Sequence, residues 1–289
     1  MSEQSRHSTA PGATPRRISP TNVHRGRVFT GGVVALAMVV VLGVAVVMFG
    51  HDSASSDPGT ATSATSSAEP TTDRAASRSA LFVGDSYTVG PSSVPDFGYP
   101  CLTATNLGWN CNLGSQPGTG YISGGPDHRL PRVLGALEVA SLNASERLPR
   151  LRENFDADVV VLDAGRNDLR FGPIYLSNMF LYTVERARQT WPTARIIAIS
   201  PWFIDDPDVE FDSDEGPVRV GDYLGGKLRE VPENNAVTFI DPGALGWFAG
   251  EDVSSLLADD GIHPNPEGHK RIAEKLTATL IADGFGQLQ

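Results

Sequence analysis

Four short stretches of this sequence carry side chains that could act together on an acyl group. Leu81-Phe82-Val83-Gly84-Asp85-Ser86-Tyr87 is an apolar run that leads straight into Gly-Asp-Ser, which places Ser86 at the carboxyl end of a strand, where open α/β sheets hold their ligands. A serine hydroxyl is a poor nucleophile until a neighbouring base removes its proton. Asp260-Gly261-Ile262-His263-Pro264 offers that base. Pro264 and Pro266 disfavour helical geometry at the residues before them, so His263 projects from a turn. A carboxylate three residues earlier can accept the Nδ1–H bond and leave Nε2 free to take a proton.

The third stretch, Gly165-Arg166-Asn167-Asp168, follows the apolar run Val159–Leu162 and offers a side-chain amide to a developing oxyanion. The fourth, Asn112 to Tyr121, is glycine-rich, so its backbone N–H groups can approach a ligand closely. It lacks the G-x-G-x-x-G spacing and the later acidic partner that a dinucleotide requires. Each stretch has a plainer reading in isolation: a helix N-cap at Asp85 or Ser86, a local Asp-x-x-His turn, or an Asn/Asp turn after a strand. Their conjunction at one sheet edge, in the order Ser, Gly, Asn, Asp-x-x-His, favours chemistry.

The elements that must position these residues read as alternating strands and helices, the pattern of a parallel sheet covered by helices. Strands are predicted at Ala80–Val83, Asn110–Leu113, Val159–Leu162, Arg195–Ile199 and Val237–Ile240. Helices are predicted at Leu142–Asn154, Ser177–Thr190, Tyr223–Val231 and Glu267–Ala282, the last with Ile272, Leu276 and Leu280 as one apolar stripe. Residues 80–289 are expected to form one domain.

GDS at 84–86, a glycine turn at 118, GRND at 165–168 and DGIHP at 260–264 together resemble the four blocks of the SGNH (GDSL-like) hydrolase family, over essentially all of residues 80–289. The resemblance implies a flavodoxin-like three-layer α/β/α fold with a parallel sheet of about five strands. It also implies a triad of Ser86, His263 and Asp260, and an oxyanion hole made by the Ser86 N–H, the Gly118 N–H and the Asn167 amide. No cofactor or metal is implied. Tyr87 departs from the family's leucine, Arg166 fills the variable place of G-x-N-D, and the glycine block is one residue longer than expected, which leaves Gly114 and Gly120 as alternatives to Gly118.

Charge and hydropathy set the surroundings. Residues 80–289 hold 16 basic and 29 acidic side chains, so a phosphate backbone would be repelled and nucleic acid is not expected as a partner. Residues 28–50 carry no charge over 23 positions, enough at ~1.5 Å per residue to cross a ~30 Å hydrocarbon core. Five arginines precede this stretch, so residues 1–27 are expected as a cytoplasmic tail, 28–50 as a retained membrane span, with a cleaved signal peptide as the alternative, and the remainder as extracytoplasmic. Residues 51–79 are rich in Ser, Thr, Ala and Pro and read as a disordered linker. Cys101 and Cys111 then lie in an oxidising compartment and are expected to pair.

The acids of Asp205 to Glu215 read as a solvated loop, Trp202, Phe203, Trp247 and Phe248 as core, and His269 as solvent-facing. The expected function is a serine esterase acting on short-chain O-acyl esters of a cell-surface glycan or lipid. An O-acyltransferase with the same triad is the alternative, and an inactive binding module is a further one.

Overall fold

The computed structural model describes residues 77–90, 97–130, 141–211 and 216–286, all within one unit spanning Glu69–Gln289. The expected tail, span and nearly all of the linker lie outside the described residues. Among the described residues no helix is long and apolar enough to cross a membrane.

Five strands form one parallel sheet: β1 (Ser79–Gly84), β2 (Asn110–Leu113), β3 (Val159–Asp163), β4 (Arg195–Ile199) and β7 (Thr238–Ile240), in the order β2-β1-β3-β4-β7. The order reverses at β1, which is the switch point where doubly wound sheets bind ligands. The three central strands are apolar runs with almost every residue buried, as a sheet covered on both faces demands. Register pairs Ala80 with Val159 and Gly84 with Asp163, so the two strands end together.

Side-chain alternation assigns the layers. Ala80, Phe82, Val159, Val161, Ile197 and Ile199 point to the face covered by α2 (Tyr99–Asn106) and α6 (Pro266–Ala282). Leu81, Val83, Val160, Leu162, Ile196 and Ala198 point to the face covered by α3 (Ala144–Asn154), α4 (Pro173–Thr190) and α5 (Val220–Arg229). Each such fully buried Leu, Ile, Val or Phe is worth about 1.5–3 kcal/mol over its exposed state.

The predicted helices exist, with ends set by local chemistry. Asn143 caps α3, accepting from the Glu146 N–H while the Glu146 carboxylate accepts from the Asn143 N–H, so the helix starts two residues after Leu142. Pro173 opens α4 four residues before the predicted start, because proline suits the first helical turn. At β7, the N–H of Val237 is taken by Asn234 in the preceding turn, which delays the strand by one residue.

The pieces outside the predicted list include α2 and a hairpin of β5 (Glu210–Phe211) with β6 (Val218–Arg219). The hairpin corrects the reading of Asp205 to Glu215 as loop throughout. Val209 and Phe211 are buried there while Asp205, Asp206, Asp208 and Glu210 stay exposed, and residues 212–215 lie outside the described residues. Cys101 in α2 and Cys111 in β2 form a disulfide with Cα atoms 5.2 Å apart, tying a helix to the edge strand.

Candidate active site

At the carboxyl end of β1 the chain turns into a one-turn helix, α1 (Ser86–Val89). The turn is tight: a β-carbon on Gly84 would collide with the Thr88 hydroxyl and the Asp163 carbonyl. Asp85 accepts from the Tyr87 N–H at 3.0 Å and caps the helix, leaving Ser86 free to face outward. Its Oγ lies 2.8 Å from His263 Nε2, and His263 Nδ1 lies 2.6 Å from Asp260 Oδ2. The second Asp260 oxygen accepts from the N–H groups of Ile262 and His263, each at 2.9 Å. The His263 side-chain bond, followed by these two backbone bonds, holds the Asp260 carboxyl down at about 2. A carboxylate so placed fixes the tautomer with Nδ1 protonated, and the imidazole can then take the serine proton.

The three candidate glycines differ in where their N–H groups go. That of Gly114 is taken by the Phe82 carbonyl at 2.8 Å and that of Gly120 by Ser123 at 2.9 Å. Among the described residues the N–H groups of Ser86 and Gly118 have no acceptor. Gly118 also has φ +72, a left-handed conformation that glycine adopts without cost. The Asn167 amide donates one hydrogen to the Thr119 carbonyl at 2.9 Å and so keeps a second for another acceptor.

Buried charges hold this edge together. Arg147, from α3, donates to the Gly84 carbonyl, the Thr119 hydroxyl and the Leu142 carbonyl at 2.8, 2.8 and 2.6 Å, joining the serine turn to the glycine loop. Burial pulls this guanidinium down to about 10, with Asp85 and Glu146 opposing, so it stays charged at neutral pH. Asp168 accepts from the N–H groups of Tyr121, Ile122 and Ser123 and shapes the rest of that loop. Arg166 donates to the Trp202 carbonyl at 2.8 Å and pairs with Asp85 and Asp163. Burial works against its charge, but the two carboxylates outweigh burial and hold it protonated. Tyr99 donates to Asp163. Removing one partner from such a buried set costs about 3–5 kcal/mol.

A cavity of about 500 Å³ opens over the serine, lined by Ser86, Pro117, Ala258, Asp260, His263 and His269 among others. His269 therefore corrects the expectation of a solvent-facing side chain. It is 2% exposed, stacks on Tyr99 with ring centroids 5.8 Å apart, and accepts from the Tyr99 N–H at Nδ1. Trp202, Trp247 and Phe248 are buried and pack on one another as expected of core. Asp163, Arg147 and His269 were missed as contributors. The visible signals were a carboxylate closing the apolar run VVVLD and a histidine three residues before Ile272 on the apolar stripe of α6. No group of side chains that could hold a metal ion occurs among the described residues.

The model of the GDSL-like lipase/acylhydrolase family matches residues 82–271, about two thirds of the chain. The chain belongs to this family. The GDSL lipase Rv0518 of Mycobacterium tuberculosis is 31% identical over 136 residues, 45% of this chain and 53% of that protein, so the match spans about half of the relative's length. Among solved structures, the salicylyl-acyltransferase SsfX3 from a tetracycline biosynthetic pathway superposes with a TM-score of 0.53 at 18% identity, covering 73% of this chain and 56% of that one. A family two carbohydrate esterase from Clostridium thermocellum aligns with a TM-score of 0.48 at 19% identity, over 70% of this chain and 63% of that one. The five-stranded parallel sheet between helices is thus the GDSL-like fold.

Proposed function

We propose that this chain hydrolyses short-chain O-acyl esters of a cell-surface glycan or lipid through an acyl-serine intermediate, in a domain held outside the cytoplasm by residues 28–50. The observation that carries the reading is the unbroken chain of hydrogen bonds from Ser86 to His263 to Asp260, opening on a cavity. His263 takes the proton of Ser86 as Oγ attacks the ester carbonyl. The oxyanion is met by the N–H groups of Ser86 and Gly118 and by the free amide hydrogen of Asn167, each worth about 3 kcal/mol in the transition state. Proton return from His263 releases the alcohol, and water activated by the same imidazole releases the acid. The intact triad argues against an inactive binding module. The uncharged run of residues 28–50 and the arginines before it support the location.

An acyl-Ser86 intermediate could also pass to a sugar hydroxyl, and one experiment separates the outcomes. The full-length chain is given p-nitrophenyl esters of increasing acyl length, with and without a glycan acceptor. Turnover that is fastest for acetyl and indifferent to acceptor supports hydrolysis. Acylated glycan appearing together with faster p-nitrophenol release establishes transfer instead, and preference for long acyl chains overturns the short-chain assignment.

A further inference from the structure

Tyr87 follows Ser86 directly, where the GDSL motif has leucine, and it is 1% exposed. Its hydroxyl donates to the carbonyl of Ile262 at 2.6 Å, and Ile262 is the residue before His263. We infer that Tyr87 is a positioning residue that fixes the histidine turn onto the serine helix and thereby sets the distance from Ser86 Oγ to His263 Nε2. The inference rests on the reading of Ser86 and His263 as nucleophile and base.

The bonds within the histidine turn give it shape but not place. Asp260 accepts from Ile262 and His263, and the Ala258 N–H donates to the His263 carbonyl at 2.8 Å, all inside one loop. Among the described residues, the bond from Tyr87 to Ile262 is the only hydrogen bond, besides that of Ser86 with His263, joining residues 260–263 to residues 85–90. It acts on a single rigid unit, because the carbonyl of Ile262 and the N–H of His263 belong to one planar peptide. Tyr87 holds that plane by its oxygen and Asp260 holds it by its hydrogen.

The ring that carries the hydroxyl is itself closely packed. It meets Trp202 and Phe203 edge-on at 5.9 and 5.8 Å, and the Arg166 guanidinium lies 4.4 Å from its centroid. Arg166 is pinned in turn by Asp85, Asp163 and Trp202. The residue in place of leucine and the residue in the variable place of G-x-N-D therefore touch each other, and a leucine could neither stack under the cation nor donate to Ile262. Burial pushes the Tyr87 hydroxyl far above its ordinary range, so it remains a donor at any working pH.

The test compares the full-length chain with Tyr87→Phe and Tyr87→Leu by kcat and KM for p-nitrophenyl acetate, by the rate of fluorophosphonate labelling at Ser86, and by the downfield proton resonance of the His263 Nδ1–H. A misplacement of about 1 Å costs up to ~10²-fold. In Tyr87→Phe, kcat and the labelling rate should fall together by ~10–100-fold, with KM within about twofold and the resonance retained, and Tyr87→Leu should be no faster. Turnover and labelling of Tyr87→Phe within about twofold of the parent would overturn the inference. So would loss of the resonance, which would show that the hydroxyl holds the shape of the turn rather than its place. A parent chain that takes no label at Ser86 overturns the nucleophile reading itself, an outcome distinct from either.

Discussion

The Ser86 hydroxyl and the His263 imidazole meet at 2.8 Å although 177 positions separate them in the chain. Two local devices shape the meeting, the turn closed by Gly84 and Asp85 at the end of β1 and the Asp260 turn that presents His263 just before α6, and the Tyr87 hydroxyl joins the two through the Ile262 carbonyl.

Asp260 should matter for orientation and not for titration in the working range. Its folded value near 2 lies below the ordinary ~3.9. The advantage of its charge is therefore complete above about pH 4 and is lost only as pH falls toward 2. Asp260→Asn removes the charge and favours the wrong tautomer. The loss for a buried triad aspartate is ~10⁴-fold, and solvent reaches this side chain, 48% exposed, so we expect a fall in kcat of at least ~10²-fold across pH 6–9. A fall below tenfold would contradict that role.

Asn167→Ala should lower kcat by ~10²–10³-fold with KM nearly unchanged, because the amide is needed only once the oxyanion forms. Steady-state kinetics on p-nitrophenyl acetate check this. A rise in KM at constant kcat would instead make Asn167 a ground-state binding residue.

The gathering of these residues at one sheet edge was legible in the sequence to different depths. Ser86, Asn167 and His263 stood out because each lies in a contiguous motif beside a strand or helix end. The choice among Gly114, Gly118 and Gly120 could not, since it turns on which N–H groups other loops consume. Helix α2 was hidden by its brevity, and Arg147 and Asp163 take several of their partners from distant segments, Gly84 and Thr119 for the first and Tyr99 for the second. His269 was recoverable, because it continues the stripe of Ile272, Leu276 and Leu280 by one turn.

His269 should make stability depend on pH. Burial, followed by the nearby His263, lowers it to about 4, against ~6.5 in the unfolded chain. The unfolded state then binds more protons between those values, so stability is full above pH ~6.5 and falls as pH drops toward 4, by about 3 kcal/mol in all. Urea melts at pH 7.5 and 4.5 should show a steeper loss in the parent than in His269→Gln. Equal losses would refute the assignment.

The most direct test of the account is mass-spectrometric mapping of a fluorophosphonate adduct on the full-length chain and on Ser86→Ala, alongside p-nitrophenyl acetate turnover. One adduct, on Ser86, and turnover are expected in the parent, with both lost in a variant that retains the parent's melting temperature. An adduct on another residue, or turnover unchanged in Ser86→Ala, would contradict it.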